Sequence, residues 1–110
     1  RLFMPRQSGH STAALQVMYG NKDAVLFVLQ HKDKIYMKDL IQDVIPFPEA
    51  RRAIWDRIFV ASRPKDVGIV NRMVNENSIV FFDQATRMNK DTKWGIIEVV
   101  SKAKLIVELQ

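Results

Sequence analysis

The chain has 110 residues, a length that suits one domain over 1–110, and its balance of 47% hydrophobic to 26% charged residues excludes a disordered polymer. It contains no cysteine, which excludes disulfides, zinc–cysteine centres and thiol catalysis and fits a reducing compartment. A net charge of +5 favours polyanions as partners, although charge alone fixes no function.

The elements are expected in alternation. "RLFM" (Arg1 to Met4) reads as a short strand ended by Pro5. "STAALQVMYGN" reads as a helix with Ser11 or Thr12 near its start, Leu15, Met18 and Tyr19 on its apolar side, and Gly20 as its stop. "AVLFVLQ" (Ala24 to Gln30) is a continuous apolar run, the pattern of a strand buried on both faces. "KDKIYMKDLIQDVI" places Ile35, Leu40, Ile41 and Val44 at roughly helical spacing before Pro46 interrupts it. Pro48 and Glu49 then suit the first turn of a helix over "PEARRAIWDR".

"IFVAS" (Ile58 to Ser62) reads as a third strand. Ser62 is expected to cap a helix with Pro64 in its first turn and Val67, Val70 and Met73 or Val74 as its stripe. "SIVFFD" (Ser78 to Asp83) reads as a fourth strand and "ATRMNKD" as a polar loop. "KWGIIEVVSK" suits a helix with Trp94, Ile97 and Val100 or Ser101 in register, and "AKLIVEL" a last strand. The pattern predicts an α/β sandwich with a five-stranded, mainly parallel sheet covered on both faces. Ligands of such folds sit beyond the carboxyl ends of the strands. That rule directs attention to the residues after Met4, Gln30, Ser62 and Phe82. No apolar run approaches the ~20 residues of a membrane span, and no leader peptide pattern appears. The start at Arg1 in place of methionine fits either a piece of a longer chain or a chain without its disordered leading residues.

The stretch after the first strand is "MPRQSGHST". A phosphate-binding loop needs a strand, a turn whose N–H groups face inward, and a helix whose N-terminus holds the anion. Its usual form is G-x-x-x-x-G-K-[ST]. Gly9, Ser11 and Thr12 match; Met4 stands in place of the first glycine and His10 in place of the lysine. "SIVFFDQ" supplies a second element, an apolar strand ending in Asp83. The alternative reading is a plain strand-to-helix turn, with Gly9 for backbone geometry and Ser11 or Thr12 as N-cap.

"PRQSGHST" resembles the Walker A loop of the large terminase subunits of tailed phages and related helicase-like ATPases, and "VFFDQAT" resembles their Walker B segment. These belong to the additional-strand division of phosphate-loop NTPases. The resemblance implies that Gly9, His10, Ser11, Thr12 and Gln7 surround the phosphates of ATP, with Arg6 also reaching them. It implies that Ser11 and Asp83 support Mg2+, and that Gln84 occupies the position of the catalytic glutamate.

Two departures agree with each other. Histidine lacks the fixed charge of lysine near pH 7, and glutamine orients a water without taking its proton. Losing one charge-stabilising group costs ~2.7–4 kcal/mol of barrier. The expectation is a degenerate domain that binds nucleotide or DNA with little or no hydrolysis. Two other readings stay open: an active packaging-motor ATPase in which Arg6 compensates for His10, and a protein-interaction or inhibitor module on the same scaffold. The resemblance also implies the cytoplasm of a bacterial host, DNA as partner, a phage or host protein as another, and an oligomer.

Basic residues Arg63, Lys65, Arg87, Lys90 and Lys93 follow strand ends and are candidates for tracking a phosphate backbone, with Trp94 available for stacking. Other basic residues gather in "ARRAIWDR" (Arg51, Arg52, Arg57); the alternative for all of them is a solvated basic face, and for Trp94 a place in the core. His10, His31 and Asp83 lack metal-ligand spacing. Ser8 or Ser62 with His10 and Asp83 lacks a nucleophile-elbow sequence. The five methionines read as core filler.

Overall fold

The computed structural model describes residues 2–4, 10–61, 66–83, 95–98 and 101–109. In chain order its elements are β1 (Leu2–Met4), α1 (His10–Gly20), β2 (Ala24–Val28), α2 (His31–Val44), α3 (Pro48–Trp55), β3 (Ile58–Val60), α4 (Val67–Met73), β4 (Ile79–Asp83) and β5 (Leu105–Leu109). A further helical turn covers residues 95–98.

The architecture is α/β. The strands form one sheet in the order β1-β5-β4-β2-β3, and every neighbouring pair is parallel. β5, the last strand in the chain, therefore lies between β1 and β4. β2 sits between β4 and β3 and is buried at each of its positions. Helices cover both of its faces, so its apolar run needs no alternation. β3 is shorter than its reading over Ile58 to Ser62, and Phe59 and Val60 are only half-buried. The reason is its place: among the described residues it pairs with β2 alone.

Two hydrophobic layers result. Leu26, Val28, Phe81, Val107 and Leu109 meet Ala14, Leu15 and Met18 of α1, Met37 and Ile41 of α2 and Ile54 of α3. On the other face Val25, Phe27, Val80 and Phe82 meet Val70, Val74 and Ile96. Phe27 is the hub of that face. Its ring lies 5.7 Å from that of Phe59 and 5.3 Å from that of Phe82, both its register partners on the adjoining strands. Such aromatic contacts stabilise by ~0.5–1.5 kcal/mol beyond area burial. Because side chains alternate, a one-residue slip of β2 would move each layer's residues into the other.

The helices turn slightly differently from their sequence stripes. Tyr19 is exposed and Ala14 takes its place beside Leu15 and Met18. Ile35 is exposed and Met37 is buried with Ile41. Of the two alternatives Met73 and Val74, Val74 is the buried one, as is Val70, while Ile96 and not Ile97 enters the core. Met18 and Met37 do fill the core, as expected.

Arg57 ties the amino-terminal edge together. Its Nε donates to the Ala53 carbonyl at 3.1 Å, and Nη1 donates to Asn21 and Ala24 at 2.7 and 3.0 Å. Nη2 donates to the Met18 carbonyl at 2.7 Å. One side chain thus joins the end of α3, the last turn of α1 and the start of β2. Burial lowers its pKa, and the nearby Asp23 carboxylate opposes that shift. Arg51 plays a smaller similar part, with Nε donating to Ile45 at 2.5 Å and Nη2 to Gln42 at 3.2 Å, just where α2 ends. Arg51 and Arg57 thus act as backbone clamps within the "ARRAIWDR" cluster.

Candidate functional site

Parallel pairing brings all carboxyl ends of the strands to one edge. Met4, Leu109 and Asp83 share one register row across β1, β5 and β4. Neighbouring strands lie ~4.8 Å apart, so Met4 and Asp83 stand roughly 10 Å apart across the end of β5. α1 begins at His10, six residues beyond Met4, so its N-terminus follows directly on the end of β1.

The faces can be read from alternation. Phe81 and Leu109 join the layer that holds Leu15 and Met18 of α1. Asp83 is two residues beyond Phe81 and pairs with Leu109, which sets it on the same face of the sheet as α1. Its carboxylate is buried at 9% exposure. The first turn of α1 carries no acidic residue to repel an anion. Ser11 and Thr12 lie in that turn with half-buried side chains.

Ser11 and Thr12 thus share with Asp83 the face of the sheet that α1 covers and its carboxyl edge, with His10 as the first helical residue; the side chain of His10 lies outside the described residues. Arg6, Gln7, Gly9 and Gln84 also lie outside them, as do Ser8 and Ser62. The same holds for Arg63, Lys65, Arg87, Lys90, Lys93 and Trp94. His31 opens α2 at the same edge beyond β2 and is exposed. Among the described residues no three His, Cys, Asp or Glu side chains gather as a metal-binding group. No helix among them is long and apolar enough to cross a membrane.

Two buried carboxylates escaped the sequence reading. Asp66 is 3% exposed at the start of α4, beyond β3 at the same edge. Glu108 is 7% exposed on β5, in register with Phe3 on β1 and Phe82 on β4. Glu108 therefore sits one residue back from the Met4–Leu109–Asp83 row, on the opposite face from Asp83. A signal for it existed: a lone acid within the apolar run "LIVEL" is unusual, because an ionised group is costly to bury without partners. Asp66 gave no such signal, since an aspartate between a loop and a helix is the ordinary N-cap pattern.

No family model, no curated protein and no solved structure matches this chain.

Proposed function

We propose that the chain is a degenerate phosphate-loop domain of the helicase- and terminase-like division, which binds a nucleotide at the N-terminus of α1 with little or no hydrolysis. One observation carries the reading: β5 separates β1 from β4, with α1 and Asp83 on the same face and at the same edge. In that division an added strand stands between the strand before the phosphate loop and the strand bearing the acidic residue. An anion would sit beyond the end of β5, between the helix dipole and the carboxylate, and Ser11 and Asp83 would hold its Mg2+. His10, Ser11, Thr12, Gly9 and Gln7 would hold phosphate oxygens. Gln84 would orient water without accepting its proton, and so turnover is low. DNA is the proposed polyanionic partner, through Arg63, Lys65, Arg87, Lys90 and Lys93.

The test is a thermal-shift and hydrolysis assay with ATP and Mg2+. A ligand of the native state at 100 times its Kd adds about 2.7 kcal/mol of stability. We expect the wild-type chain to gain stability with nucleotide and to hydrolyse at background. His10→Lys should tighten binding, and His10→Lys with Gln84→Glu should raise turnover. Asp83→Asn should abolish the magnesium dependence of both. If the double variant neither binds nor hydrolyses nucleotide while remaining folded, the reading fails. Salt-sensitive DNA binding that Arg87→Ala and Lys90→Ala weaken would support the DNA partner.

A further inference from the structure

The charges of α2 and α3 are sorted. Between the two helices lies a cavity of about 270 Å³ lined by Lys38, Ile41, Gln42, Arg51, Arg52 and Trp55. Three of these are cations and none is a carboxylate, although the same helices carry Asp33, Asp39, Asp43 and Glu49. The ammonium of Lys34 sits 4.5 Å from the centre of the Trp55 ring and adds a fourth cation. Arg51 is held by its bonds to Ile45 and Gln42, so its charge is oriented before any ligand arrives. The floor is apolar, made by Ile41 and Trp55.

We propose that this groove binds an acidic peptide segment of a partner protein. An aliphatic or aromatic side chain of that segment rests on Ile41 and Trp55, and its flanking carboxylates meet Lys38, Arg51 and Arg52. Charge complementarity selects an anionic occupant. The volume falls just under the ~300–1,000 Å³ of pockets for drug-sized ligands, which suits one side chain better than a whole cofactor. A phosphodiester backbone would leave the apolar floor unused. None of the described residues that line the groove belongs to the proposed nucleotide site, so the inference stands apart from nucleotide binding.

The experiment uses the full chain carrying Trp94→Phe, so that Trp55 alone reports by its fluorescence. The probe is a labelled peptide of Asp and Glu residues flanking one Leu and one Phe. Two comparators are the same peptide with Ser in place of Leu and Phe, and a single-stranded oligothymidylate of equal charge. We expect the acidic–apolar peptide to bind, to shift Trp55 emission, and to exceed the Ser peptide by about tenfold or more, whereas oligothymidylate leaves Trp55 emission unmoved. Lys38→Glu and Arg52→Glu, both at exposed positions, should each weaken it by roughly fivefold. Lys22→Glu, also exposed and outside the groove lining, should leave it unchanged and so controls for net charge. Equal binding by the Ser peptide, or an equal shift of Trp55 emission with oligothymidylate, overturns the proposal. So does the absence of binding, an equal loss in Lys22→Glu, or indifference to both groove reversals in variants whose far-UV spectrum is native.

Discussion

Arg57 shows how much one side chain can organise. Its guanidinium bonds to the carbonyls of Met18, Asn21, Ala24 and Ala53 while the residue stays half-buried. Arg57→Ala would strand several part-buried acceptors at once, at ~1–3 kcal/mol for a fully buried one and less where water enters. A loss of about 2–4 kcal/mol is expected in urea unfolding, with Arg57→Lys falling between. Gly20 makes the opposite case. A Cβ there would meet nothing within 4 Å, and its backbone is not left-handed. Helix α1 stops because Asn21 turns the chain, its Oδ1 accepting from the Asp23 N–H at 2.9 Å and its carbonyl from Ala24 at 3.1 Å. Gly20→Ala is therefore expected to stabilise by ~0.4–1 kcal/mol through the unfolded state. Neither result could be read from residue type. Arginine in a basic cluster is ordinarily a surface charge, and glycine after an apolar stretch is ordinarily a helix stop.

The elements were more legible than the side chains they bury. Strand β2 declared itself by an uninterrupted apolar run, and α3 by Pro48 and Glu49 in its first turn. The stripe of α2 was harder. Ile35 lies ~200° around the helix from Met37 at ~100° per residue, so it cannot share the face that Met37, Ile41 and the half-buried Leu40 and Val44 present. Several apolar residues on a short helix permit more than one stripe, and packing against α1 and α3 selects between them. The start of α2 has its own device: the Asp33 carboxylate accepts from the Gln30 N–H at 3.2 Å. Asp33→Ala should cost about 0.5–1 kcal/mol, measured by thermal unfolding. A much larger cost belongs to Phe27, which is 1% exposed and contacts two other rings. Phe27→Ala should lose ~3–5 kcal/mol, a large part of a small domain's stability, and leave little cooperative unfolding transition.

At the scale of the whole molecule, alternation of apolar runs and helical stretches was enough to anticipate a parallel sheet covered on both faces. The order of the strands was not. Sequence spacing says which segments are strands, whereas pairing order depends on which crossovers bury each face, a property of the assembled layers. For the same reason Asp83 could be named from "VFFDQ", while its place on the face of α1 needed Phe81 and Leu109 in register. Glu108 was missed because its significance lies in neighbours about 26 and 105 residues away, Phe82 and Phe3.

The pairing of β1 with β5 also has a consequence in time. Among the described residues β5 is the sole strand partner of β1, and about 100 residues of chain separate the two. A ribosome adds ~5–20 residues each second, so a newly made β1 waits roughly 5–20 s before its partner exists. Until then the loop that leads into α1 has no sheet to anchor it, and the nascent chain cannot assemble the edge on which Met4, Leu109 and Asp83 align. That edge is thus completed only once β5 has been made, and any ligand that needs all three strands meets a chain extended at least that far.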